Sequence, residues 1–132
     1  MALPNGAGGY QINDGNVGEA LLFVQGAPTL LSANVTVTAA QLSSGLFTVD
    51  SAADITATLP TVALLEADIS SAVKVNAAFD FAVVNIDSAY QVTFAVGTGW
   101  TIVGDAIVLE ATSAQFRARK TGDGTWTLYR IA

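Results

Sequence analysis

Residues 116–132, "FRARKTGDGTWTLYRIA", read as two strands closed by a turn, and this hairpin sets the reading of the whole chain. Side chains alternate between faces along a strand, so Phe116 and Ala118 share one face while Arg117 and Arg119 share the other. Gly122, Asp123 and Gly124 supply the turn, where glycine accepts the positive φ that other residues avoid. On the return strand Trp126, Leu128 and Arg130 lie on one face, and Thr127, Tyr129 and Ile131 on the opposite one. The hairpin also holds nearly all the basic residues of a chain whose net charge is −6. Arg117, Arg119, Lys120 and Arg130 are read together as an outward basic stripe.

Working back from the hairpin, the pattern is strand after strand: "AFDFAVVNI", "YQVTFAV", "WTIV" and "AIVLEA", with turn residues between them. Further upstream, "ANVTVT" and "ITATLP" alternate apolar residues with threonine, as half-buried strands do. Turn signals recur about every 8 to 12 residues, the spacing of an antiparallel sandwich or barrel. "AAQLSSG" reads as a turn of helix stopped at Gly45. "PTVALLEADISSAV" switches to helical spacing, with Val62, Leu65, Ile69 and Val73 on one stripe and Thr61 as its cap. The expected fold is therefore all-β: an antiparallel, jelly-roll-like β-sandwich over residues 18–132 with one short helix. No internal repeat is clear enough to indicate a solenoid. Residues 1–17, "MALPNGAGGYQINDGNV", are too rich in Gly and Asn to pack alone and are read as an extended N-terminal arm that orders on a partner.

Composition narrows the function. A chain of 132 residues is expected to form one domain, since domains run to about 100–200 residues. Only 12% of residues are charged and 52% are hydrophobic, against roughly 25% charged in an ordinary soluble domain. So few charges suggest that much of the surface meets other protein. A membrane helix is not expected, because the best apolar run, "ALLFVQGAPTLL", is broken by Gln25, Gly26 and Pro28. No Lys or Arg precedes Lys74, so the basic flank of a signal peptide is missing and synthesis and use in a cytoplasm are expected. The absence of cysteine and histidine removes thiol nucleophiles, imidazole bases and the usual zinc ligands together. Nucleic-acid binding is not expected either, because it needs a sizeable basic face and "RARK" does not make one.

The remaining candidates for chemistry are weak. Asp14, Asp50, Asp87, Asp105 and Asp123 look like turn or strand-end residues, and no spacing selects two carboxylates for acid–base work such as glycoside hydrolysis. "NDGNVGE", with Asp14, Asn16 and Glu19, lacks the distant bidentate glutamate of a calcium loop. "GTGW" at 97–100 has no following lysine to make a phosphate loop and reads as a hairpin turn. Trp100, Trp126, Tyr90 and Tyr129 could form a sugar-stacking platform, but they are scattered and read better as packing residues. The flat threonine faces of "VTVTAA" and "ITATLP" are plausible oligomer surfaces. For the basic stripe there are two accounts: pairing with acids of the same chain such as Asp80, Asp105 and Glu110, or contact with an acidic surface of another copy or another protein.

"NVTVTAAQLSSGLFTV", "LPTVALLEADISSAVKVNAAFDFAVVN", "VTFAVGTGWTIVG" and "SAQFRARKTGDGTWTLYR", in that order over residues 34–132, resemble the small decoration or cement proteins of tailed-bacteriophage capsids. The resemblance implies a β-sandwich subunit, commonly a homotrimer, made in the host cytoplasm. It would sit on the capsid exterior of the virion, bind the major capsid protein and lock neighbouring capsomers. It implies no catalytic residues and no cofactor or metal. The arm lies outside it; there, Leu3, Tyr10 and Ile12 are the expected capsid anchors. Arg117, Arg119, Lys120 and Arg130 are the expected subunit or capsid interface. The alternative is a phage tail or fibre module that binds host carbohydrate; an enzyme is not expected.

Overall fold

The computed structural model describes residues 22–69 and 73–132. Strands form where β-branched and aromatic residues alternate with small polar ones: β1 (Thr29–Leu31), β2 (Val35–Thr36), β3 (Leu46–Val49) and β4 (Ile55–Thr58), then β5 (Ala78–Asn85), β6 (Val92–Ala95), β7 (Trp100–Val103), β8 (Ile107–Val108), β9 (Ser113–Gly122) and β10 (Thr125–Arg130). Among the described residues two helices interrupt them, α1 (Ala39–Ser44) and α2 (Val62–Ile69). The expectation of one short helix is therefore corrected. The turn of helix read at "AAQLSSG" is a full element, fixed by a capping box in which Thr38 Oγ1 accepts from Gln41 N and Gln41 Oε1 from Thr38 N. Gly45 ends it at φ 88°, a left-handed value that a side chain would oppose.

The strands form two sheets, ordered β1-β3-β5-β9-β10-β7 and β2-β4-β6-β8. Phe47, Phe81 and Phe116 from the first sheet meet Phe94 from the second, with ring centroids 5.3–6.3 Å apart. The two layers thus face each other across an aromatic core. Burying each such ring contributes about 2–3 kcal/mol.

The antiparallel, jelly-roll-like expectation does not survive the pairing. Five ladders are parallel, β1·β3, β3·β5, β10·β7, β2·β4 and β4·β6. Only β5·β9, β9·β10 and β6·β8 are antiparallel. A jelly roll pairs antiparallel neighbours throughout. Here the chain instead alternates between layers from β1 to β6, so each return to a sheet follows a full circuit and runs in the same direction as before. Turn spacing cannot separate the two cases, because a turn to the opposite sheet is as short as a hairpin. Three such circuits stack like the start of a solenoid, although no sequence repeat signals it.

The circuits are joined at matching places. Asn34 Oδ1, just before β2, accepts from Thr56 N of the next circuit at 2.8 Å. Asp54 Oδ1, just before β4, accepts from Gln91 N of the circuit after that at 3.1 Å. At the next turn Asn85 is buried: its Nδ2 donates to the carbonyls of Tyr90, Val108 and Leu109, and its Oδ1 accepts from Asp87 N. Asp87 in turn accepts from the backbone N–H groups of Ala89, Tyr90 and Ser51. Those donors hold its carboxyl below the usual carboxylate range, Ala89 most strongly and Ser51 next.

Candidate functional site

Every second residue of the six-stranded sheet points away from the core, and the strand register sorts these residues into four rows. Leu30, Thr48, Val84 and Ser113 form the first. Leu46, Ala82 and Gln115 form the second, extended by Ile131, whose N–H bonds to Gln115 O. Asp80, Arg117, Tyr129 and Val103 form the third, and Ala78, Arg119, Thr127 and Thr101 the fourth. Leu30, Val84, Val103 and Ile131 are exposed. The four-stranded sheet turns out a second, smaller face, with Thr36, Thr58 and Ala95 in one row and Thr56, Thr93 and Ile107 in another.

The basic residues do not form one stripe. Arg117 lies directly opposite Asp80 and binds it through two nitrogens, Nε to Oδ1 at 2.7 Å and Nη2 to Oδ2 at 2.9 Å. Gln115 adds a third bond to Asp80 Oδ2. The guanidinium holds the Asp80 carboxyl below its usual range, and Asp80 in turn raises the pKa of Arg117. Arg119 donates to Asn76 Oδ1 at 2.9 Å and to the Tyr129 hydroxyl at 2.7 Å. These two arginines lie on the outward face, as the alternation requires.

Lys120 and Arg130 lie on the other side of the sheet, which corrects the outward stripe. Lys120 is only 7% exposed, and its Nζ sits 2.8 Å from Glu66 Oε1 on α2. Trp126 Nε1 donates to the same oxygen at 3.0 Å. The Lys120 bond, and then the Trp126 bond, hold the Glu66 carboxyl below its usual range against the opposing effect of burial. Arg130 donates to the carbonyls of Ile107 and Ala132, with its guanidinium carbon 5.8 Å from the Phe116 ring centroid. Thus the intramolecular account accommodates all four residues, although of the acids named for it only Asp80 is used. The Glu66 partnership went unread, yet "FRARK" carries its signal: Lys120 shares parity with Phe116 and Ala118, and so faces in.

The sugar platform is also dismantled. Trp100 and Trp126 are 8% and 1% exposed and pack on one another at 6.0 Å. The Trp100 indole is bonded to Pro60 O. "GTGW" is a turn between sheets rather than a hairpin turn, since β6 and β7 lie in different layers. Asp105 Oδ1 accepts from Ile107 N, a local turn contact of the kind expected for it. Leu3, Tyr10 and Ile12, the arm of residues 1–17 that carries them, and Asp14, Asn16 and Glu19 lie outside the described residues. Among the described residues there is no group of three or more acids placed to hold a metal ion, and no helix is long and apolar enough to cross a membrane.

A separate apolar groove of 710 Å³ opens where the outer face of the four-stranded sheet meets the first turn of α1 and the Leu64–Asp68 side of α2. Ala39, Ala40, Pro60, Leu64 and Ala67 line it, with Asp68 as its one charged side chain. No family model, curated protein or solved structure matches the chain.

Proposed function

We propose that the chain is a structural protein of a tailed-phage virion, a decoration or cement subunit. As a homotrimer made in the host cytoplasm, it binds the major capsid protein on the outside of the head and stabilises contacts between capsomers. The observation that carries this reading is the outer face of the six-stranded sheet. Its acid and its two arginines are bound to neighbours within the same chain, and around them it presents threonine, alanine and exposed Leu30, Val84, Val103 and Ile131. A broad face with exposed apolar residues and its charges already partnered fits association with protein better than turnover of a small molecule. The order of motifs over residues 34–132 supplies the kind of partner. The carbohydrate-binding alternative loses its two tryptophans to the core and keeps only Tyr90 and Tyr129.

Co-sedimentation of the purified chain with phage heads stripped of decoration protein tests the proposal. Saturable binding that raises the heat resistance of the heads is expected. Binding should be lost in a Leu30→Arg/Val84→Arg variant, whose substitutions lie on the exposed face and leave the core intact. Absence of binding by the native chain overturns the reading. Replacing Arg117 and Arg119 by glutamate separates the two accounts of those residues. A salt-dependent loss of head binding assigns them to an acidic partner surface, and a loss of thermal stability alone assigns them to Asp80, Asn76 and Tyr129.

A further inference from the structure

Leu22, Phe23 and Val24 are three consecutive apolar residues outside any helix or strand, 84%, 83% and 100% exposed. Burial of such side chains is a principal source of association free energy. Their own chain offers them little. Gln25 is bonded through Nε2 to Ser44 O at the far end of α1, at 2.7 Å. Phe23 borders a shallow hollow on the outer side of the six-stranded sheet, beside Leu46, Ala82 and Gln115. The 710 Å³ groove lies on the opposite layer, at the start of α1, and is lined by Leu64, itself 61% exposed. The bond to Ser44 therefore anchors the segment on the wrong side of its own molecule.

We propose that Leu22–Val24 of one copy docks into the groove between α1 and α2 of a second copy, with Phe23 against Leu64 and Ala67. Both surfaces are apolar and both are exposed in the single chain. Asp68 stays at the rim, and Leu22–Val24 bring no charge to oppose it. Because segment and groove are different patches, the contact closes either by reciprocal exchange across a twofold axis or head-to-tail around a ring. The inference concerns the free protein and does not depend on the capsid reading.

The chain contains no cysteine, which makes disulfide trapping unambiguous. Isotopically heavy copies carrying Phe23→Cys are mixed with light copies carrying Leu64→Cys, oxidised mildly and analysed by mass spectrometry. A bridge joining position 23 of a heavy copy to position 64 of a light one is expected. Bridges only between like positions, or none, overturn the proposal, as does a bridge within one chain in the Phe23→Cys/Leu64→Cys double variant at high dilution. Phe23→Asp and Leu64→Asp should each weaken self-association about tenfold or more, with circular dichroism unchanged. A native chain that stays monomeric at every concentration overturns it too. Self-association through these positions without any binding to heads leaves this inference standing and removes the capsid reading.

Discussion

Lys120 shows how much one side chain can decide. Its ammonium is largely buried, and Glu66 is its only salt-bridge partner among the described residues. Removing that carboxylate leaves a charge in poor solvent. Glu66→Ala should cost about 3 kcal/mol, read as a lower urea midpoint with unchanged slope. The same pair sets a pH dependence. Because folding lowers the Glu66 pKa, the stability it adds is complete above the unfolded value of about 4.3 and is lost as pH falls through the folded value. Glu66→Gln should therefore flatten the acid limb of a stability profile. Asn85 is the neutral counterpart. Asn85→Ala takes a donor from the carbonyls of Tyr90 and Val108 and the acceptor from the Asp87 N–H, at about 1–3 kcal/mol, measurable by the same titration. Parity along "FRARK" could have placed Lys120, but the identity of Glu66 could not be read, because 54 residues and a sheet crossing separate the two.

Among the elements, the local ones were legible and the paired ones were not. The alternation of "FRARK" and "TWTLYR" became β9 and β10 with the expected faces. Thr61 stands at the start of α2, with its hydroxyl 3.4 Å from Leu64 N. Thr38 caps α1 through a reciprocal bond with Gln41. Thr38→Ala should cost about 1 kcal/mol, detectable as a lower melting temperature. The predicted apolar stripe of α2 holds at Val62 and Leu65 and fails at Ile69, which is exposed at the end of the helix. Between β6 and β7, Gly99 sits at φ 94°, and an added Cβ would lie 2.8 Å from both Gly124 O and Val62 Cγ2. Gly99→Ala should cost more than about 2 kcal/mol and shift the hairpin turn and the start of α2 together, visible as amide chemical-shift changes at both places. That three-way contact belongs to the fold, not to the "GTGW" motif, so nothing local foretold it.

At the scale of the molecule, sequence periodicity finds strands but is silent on which strand lies beside which. A polar residue before an apolar-threonine pair recurs at Asn34, Asp54 and Gln91, a faint trace of the stacked circuits that emerges only once the register is known. The capsid reading makes its own prediction here. Deleting residues 2–17 should abolish binding to heads while leaving the oligomer unchanged by native mass spectrometry; undiminished binding would remove the arm's anchoring role for Leu3, Tyr10 and Ile12. The strand order carries a further consequence, for biosynthesis. β9 and β10 sit between β5 and β7 but are translated after both. Until they emerge from the ribosome, β5 presents an unpaired edge, β7 has no neighbour in its sheet, and Phe81 lacks the Phe116 ring that stacks on it. The layer can be completed only by inserting a hairpin into a gap held open by segments made earlier. Synthesis thus passes through an interval in which the nascent chain is vulnerable to edge-to-edge aggregation.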